Sequence, residues 1–280
     1  MRFASVVRDG SDQAVALEDG KAIPLRGVAE LGAQTPSSLL SDPPLDRADA
    51  VALESLRLRP VIPHPAKVIC VGLNYLAHLT ETRRDQTDYP VLFTKFASTL
   101  TGPFDPIECP PESGAIDYEG ELAVIIGRPV RRASPEEAGQ AIGGYAVAND
   151  VTMRDYQYRT HQWLQGKAWD DSTPLGPALV TSDEVPDPGA LELRTFVNGQ
   201  QVQHASTELL IFDVATLVST ISEFATLEPG DVILTGTPGG VGFRRDPQLL
   251  LSDGDVVAVE IAGIGRIENR FFARRPSSNR

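Results

Sequence analysis

The segment ELAVIIG, Glu121 to Gly127, holds an unbroken apolar run of the kind found in strands buried on both faces. A strand of that type needs apolar cover above and below, so the rest of the chain has to supply layers around it. Further strand signals run through GYAVANDV, GPALVT, DVILTG and DVVAVEIAGIGRIENRF, and a hairpin is predicted in LRTFVNGQQVQ around Asn198-Gly199. Helix signals are fewer. The clearest is DVATLVSTISEFATL, where Val214, Leu217, Val218, Ile221 and Phe224 make one apolar stripe that the turn EPGD stops. The regular strand–helix alternation of a parallel doubly wound sheet is missing, which points to a β-rich α+β fold.

Toward the N-terminus, RFASVVRDG and QAVALEDGKAIPL show short alternating runs separated by Asp-Gly turns, the pattern of small antiparallel strands. They predict a small β-rich module over residues 1–65. Pro60, Pro63 and Pro65 then stiffen an extended connector into a buried strand. A larger domain is expected over 66–275, followed by a frayed basic tail at 276–280. With 41% hydrophobic residues, a chain of 280 can bury a sizeable core. The 25 basic and 38 acidic side chains leave a net charge of −13, which repels a phosphate backbone or an anionic membrane, so neither is an expected partner. No apolar run approaches the roughly 20 residues of a membrane span, and MRFASVVRDG has no secretory pattern, so a cytoplasmic protein is expected. Cys70 and Cys109 are too few for a disulfide framework and read as reduced core thiols.

Within DYEGELAVIIG, Glu119 and Glu121 stand at i and i+2, so on a strand they face the same way and repel unless something sits between them. A solvated edge strand would explain such a pair. The apolar run after Glu121 argues instead for a buried carboxylate that needs a counter-charge or a cation. Asp150 ends GYAVANDV in the same manner. Three carboxylates without a nearby histidine or thiol favour a hard divalent ion, Mg²⁺, Mn²⁺ or Ca²⁺, over zinc.

Upstream, in VGLNYLAHLTETRRDQTDYP, His78 and Glu81 are three apart and would meet on a helical turn, an arrangement suited to a general base, or else an incidental surface pair. The polar sequel TETRRDQTDY reads as a mobile loop of the kind that serves as a lid. In QWLQGKAWDDSTPLGP, Gly166-Lys167 resembles a phosphate loop only superficially, because His161 and Ala168 occupy positions that motif reserves for glycine and Ser or Thr. Lys167 either snorkels along Trp163 and Trp169 or neutralises an oxyanion or enolate in a cleft. The run LTGTPGGVG fits no dinucleotide or phosphate motif and reads as a tight bend whose backbone and Thr237 approach a ligand.

Taken in order, GLNYLAHLTE, VLFTKFASTLTGP, DYEGELAVIIG, GYAVANDVTMRDYQ, GKAWDDSTPLGP and LTGTPGGVG resemble the fumarylacetoacetate hydrolase family over roughly residues 66 to 272. The resemblance implies a mixed β-sandwich or roll, a homodimer, and a divalent metal held at Glu119, Glu121 and Asp150. It further implies a lid base pair at His78 and Glu81, a cleft lysine at Lys167, and substrate contacts from Arg154, Gln157 and Thr237. By spacing alone, Arg154 and Gln157 could equally face solvent from one helix. The chain lacks the large N-terminal barrel of animal fumarylacetoacetases and looks like the shorter acylpyruvase-like members. Trp169 stands where Phe is commoner, which bears on substrate size.

Such a site, holding a small 2-oxo acid, supports three reactions with shared residues. These are hydrolysis of a 2,4-dioxo acid such as an acylpyruvate or fumarylpyruvate through a pyruvate enolate, decarboxylation of oxaloacetate, and isomerisation of a 2-hydroxymuconate-type dienol. Hydrolysis is the expectation, because the His78–Glu81 pair suits water activation. The alternatives are an isomerase or decarboxylase of aromatic-acid catabolism and a non-catalytic oxo-acid binding protein.

Overall fold

In the computed structural model, which describes residues 1–35, 37–83 and 85–274, the apolar run lies in the strand Gly120–Ile126. All seven of its residues are buried. Antiparallel partners flank it on both edges, Ile142–Asn149 on one side and Val232–Leu234 on the other. Its side chains alternate between two apolar clusters: Leu122, Val124 and Ile126 enter one, Ala123 and Ile125 the other. The continuous apolar run is thus a consequence of cover on both faces.

The strand is central to a 12-stranded sheet. From one side the order is Val51–Ala52, Lys21–Pro24, Ser11–Glu18, Arg2–Arg8, Thr173–Thr181, Ile142–Asn149, Gly120–Ile126, Val232–Leu234, Val68–Gly72 and Val91–Lys95. The pairing of Val232–Leu234 with Val68–Gly72 is parallel. The N-terminal strands continue this sheet, since Arg2 pairs with Val180 and Phe3 with Leu179. A second, 5-stranded sheet contains Gln200–Ser206, Glu192–Val197, Val256–Ile261, Gly265–Ala273 and Ile107–Cys109. Its inner residues Leu193, Val197, Val257 and Val259 share a core with Leu122 and Val124, which makes the fold the expected β-rich α+β arrangement. Asn198 (φ 49) and Gly199 (φ 81) form the predicted hairpin turn, whose geometry needs positive φ at both positions.

The predicted helix spans Val214–Phe224, with Asp213 accepting the Thr216 N–H at its start. Val214, Leu217, Val218 and Ile221 are buried, but Phe224 is 58% exposed and corrects the expected stripe. The helix terminates at that residue, with Ala225 already extended. The buried residue of the last turn is Ser222, whose Oγ donates to the Ser219 carbonyl and accepts the Ala133 N–H. Both cysteines are free thiols. Among the described residues no helix is long and apolar enough to cross a membrane. The expected tail, 276–280, lies outside the described residues.

Candidate active site

Sheet register assembles the acidic cluster. Gly120 pairs with Asn149 and Glu121 with Ala148, so Glu119 and Asp150 meet where their strands end, and the Glu119 carbonyl accepts the Asp150 N–H at 2.8 Å. One oxygen from each of Glu119, Glu121 and Asp150 lies within 4.8 Å of the others, and all three side chains are buried. Lys167 Nζ sits 2.8 Å from Glu119 and 2.7 Å from Asp150, while Lys95 Nζ is 2.5 Å from the other Asp150 oxygen. Arg154 pairs with Glu119 and with Asp117, each at 2.7 Å. Glu121 differs: its hydrogen bond comes from the Gly236 N–H at 2.7 Å, and no cationic side chain pairs with it among the described residues.

These surroundings push the carboxyls apart. Burial opposes charge on Glu119, but Lys167 and Arg154 outweigh it and hold the group below the ordinary carboxylate range. For Glu121, burial comes first and repulsion from Asp150 and Glu119 adds to it, so its carboxyl is pushed well above that range. Burial would lower Lys167, yet Asp150 and Glu119 keep it firmly protonated. Beside this cluster the Tyr75 hydroxyl is buried with no hydrogen-bond partner, and its acidity is suppressed by burial and by the charge of Glu121. An all-oxygen donor set, one carboxylate with no cation and an unpartnered hydroxyl together fit a hard divalent ion.

His78 lies on the helix Leu76–Thr82, with Nδ1 3.3 Å from Glu81. Glu81 also accepts the Gly240 N–H at 3.1 Å. The glycine-rich bend therefore joins both halves of the site, one N–H on Glu121 and another on Glu81. Gly236 has φ 101, and a Cβ there would stand 2.9 Å from that of Asn74, so both conformation and space call for glycine. Between them, Thr237 Oγ1 accepts from Gln203 at 2.8 Å. The expected loop starts later than TETRRDQTDY suggested, because Thr80, Glu81 and Thr82 complete the helix; Arg83 is left-handed (φ 54) and 85–90 carry neither helix nor strand, while Arg84 lies outside the described residues.

Arg154 and Gln157 occupy the short helix Arg154–Gln157, bonded to each other at 2.9 Å and both buried, which rules out the solvent-facing reading. Lys167 is buried too, pointing at carboxylates and lying 5.0 Å from the Phe93 ring, so it does not snorkel along the tryptophans. Trp169 packs edge-on to Tyr156 at 5.1 Å and is not in the cavity wall. The tryptophan in that wall is Trp163, edge-on to Phe93 at 5.5 Å, and it fits because Gly72 has no Cβ, which would lie 2.4 Å from it. His78, Glu119, Arg154, Gln157, Lys167 and Thr237 line one cavity of about 30 Å³.

Sequence reasoning missed Lys95 and Asp117. Asp117 continues the i, i+2 spacing of Glu119 and Glu121 in the sequence, which would have singled it out, although it lies on the separate short strand Ile116–Asp117. Lys95, at the end of Val91–Lys95, is a charge on a strand in the way Glu121 is, and the same reasoning applied to it.

A β-rich fold that gathers three buried carboxylates around Lys95 and Lys167, with Glu119, Lys167 and His78 lining one cavity, has the features of a metal-assisted enzyme. The family model described as fumarylacetoacetate (FAA) hydrolase C-terminal matches residues 67–272, and the chain belongs to the fumarylacetoacetate hydrolase family. It is 46% identical over 210 residues to the mitochondrial oxaloacetate tautomerase fahd2 of Xenopus laevis, a match covering 74% of this chain and 66% of that protein. The solved fumarylacetoacetate hydrolase of Exiguobacterium antarcticum superposes with a TM-score of 0.87 at 39% identity, covering 98% of this chain and 100% of that one. A 5-carboxymethyl-2-hydroxymuconate delta-isomerase from Mycobacterium smegmatis gives 0.83 at 36% identity, with coverage of 98% and 100%.

Proposed function

We propose that this protein is a divalent-metal-dependent enzyme that moves a proton at C3 of a small 2-oxo acid, with keto–enol tautomerisation of oxaloacetate as its reaction. The observation that carries this reading is the His78–Glu81 pair, whose buried imidazole lines the same cavity as Lys167 and Glu119. The similarity to an oxaloacetate tautomerase supports it.

Glu119, Glu121 and Asp150 would hold Mg²⁺ or Mn²⁺, and Ca²⁺ suits the same oxygens. When bound, the ion supplies Lewis-acid polarisation of a 2-oxo acid. Arg154, Gln157 and Thr237 orient the substrate from the cavity wall. Glu81 engages Nδ1 of His78, leaving Nε2 to take the C3 proton. Lys167 places positive charge where the enolate oxygen develops. Return of the proton to that oxygen gives the enol, and the reverse sequence gives the ketone, so atoms balance without a co-substrate.

A second reading keeps the same pair but gives it water to activate, yielding hydrolysis of an acylpyruvate or fumarylpyruvate. The likeness to a fumarylacetoacetate hydrolase favours that alternative. A homodimer belongs to the proposal as well, and sedimentation velocity tests it. Proton NMR in D₂O with Mg²⁺ or Mn²⁺ separates the reactions. Accelerated C3 exchange of oxaloacetate, lost in His78→Ala, supports the tautomerase; pyruvate plus a free acid from acetylpyruvate makes it a hydrolase. A shifted double bond in a 2-hydroxymuconate makes it an isomerase, pyruvate from oxaloacetate a decarboxylase, and no turnover of any compound a binding protein.

A further inference from the structure

Among the described residues, one arginine or lysine of the cavity has no acidic partner. Arg154 is held by Asp117 and Glu119, and Lys167 by Glu119 and Asp150. Arg244, on the short turn Gly242–Arg244, lines the same cavity but makes no ion pair among the described residues. Its guanidinium carbon lies 5.5 Å from the Phe243 ring centre and 5.8 Å from that of Tyr158. Aromatic rings on one face leave the N–H edge of a guanidinium available, and that edge matches a carboxylate.

The backbone beneath Arg244 is anchored. Asp117 accepts the N–H groups of Gly242 and Phe243 at 2.8 and 3.1 Å while its carboxylate also binds Arg154. The next residue, Arg245, donates to the Val202 carbonyl at 2.8 Å and to the Tyr118 hydroxyl at 3.2 Å. The two adjacent arginines therefore have different roles. Arg245 pins the segment, and Arg244 is left exposed at the mouth of the site.

We propose that Arg244 is a specificity-determining residue that receives the distal carboxylate of a dicarboxylic 2-oxo acid. This rests on the 2-oxo acid reading above. Trp163, Phe93 and Arg244 line the same cavity as Glu119 and Lys167, so a short diacid held at that end would offer its second carboxylate to Arg244, whereas a monoacid leaves Arg244 without a partner.

The test uses the full Mg²⁺-loaded chain with oxaloacetate and its 4-methyl ester, which differ in the distal charge and both carry C3 protons. Tautomerisation rates and calorimetric affinities are measured for wild type, Arg244→Gln and Arg244→Lys. The expected result is a drop of about tenfold in the kcat/KM ratio of diacid to ester in Arg244→Gln, carried by KM, with Arg244→Lys intermediate. An unchanged ratio, or an equal loss for both compounds, overturns the assignment. If wild type binds both compounds but turns over neither, the tautomerase reading fails and the ratio of affinities decides Arg244 alone. If wild type binds neither, both fail.

Discussion

Replacing Glu121 with Gln should stabilise the metal-free protein and remove its response to metal. The oxygens of Glu119, Glu121 and Asp150 lie within 4.8 Å, where one charged neighbour repels another by about 3 kcal/mol at an effective dielectric of about 20. Lys167 offsets part of this, but among the described residues Glu121 has only the Gly236 N–H as a direct partner. The folded chain therefore keeps the Glu121 proton well above the ordinary carboxylate range, whereas the unfolded chain releases it near about pH 4.3. Between those values the folded state binds the extra proton, so this contribution is complete at lower pH and is lost as pH rises through the folded value. Glutamine keeps the shape without the ionisation. At pH 8 in EDTA the variant should be more stable by about 1–3 kcal/mol, a Tm increase of roughly 2–6 °C, and the difference should shrink toward pH 5. Saturating Mn²⁺ at about a thousand times Kd should add about 4 kcal/mol to wild type and little to the variant. Scanning calorimetry at both pH values, with EDTA or Mn²⁺, measures all four states. Equal metal stabilisation of both proteins, or a difference that fails to grow with pH, would refute the reasoning.

His78→Ala and Glu81→Gln should each lower kcat by about 10²–10⁴-fold in the NMR exchange assay while Mn²⁺ still raises Tm as in wild type. Loss of the metal response would instead place the pair in metal binding. Lys167→Met removes the cation shared by Glu119 and Asp150 and should cost about 3–5 kcal/mol in EDTA, partly restored by metal; a neutral effect in urea titration contradicts the ion-pair account. In Gly72→Ala the new Cβ would stand 2.4 Å from the Trp163 ring, so the ring must move. Tryptophan fluorescence should shift, and an unchanged spectrum together with unchanged KM would contradict this packing.

Much of the site was legible in local spacing. Strand parity aligns Glu119 with Glu121, and helical periodicity brings His78 to Glu81, because each depends on the geometry of a few consecutive residues. The hairpin at Asn198-Gly199 was equally local. Phe224 shows the limit of such reading, since periodicity says which side of a helix is apolar but not where the surface it covers stops.

By itself, then, the sequence determined the β-rich character, the buried central strand and the carboxylate and imidazole pairs, all consequences of short-range periodicity. Tertiary structure decided what those pairs meet. The pairing of Gly120 with Asn149 brings Asp150 to Glu119, and distant segments deliver Lys95 and Lys167 to the same carboxylates. It also chose Trp163 over Trp169 for the cavity wall and joined the N-terminal strands to the main sheet through Arg2 and Val180. Register between remote strands is set by packing of the whole core, which no local pattern encodes.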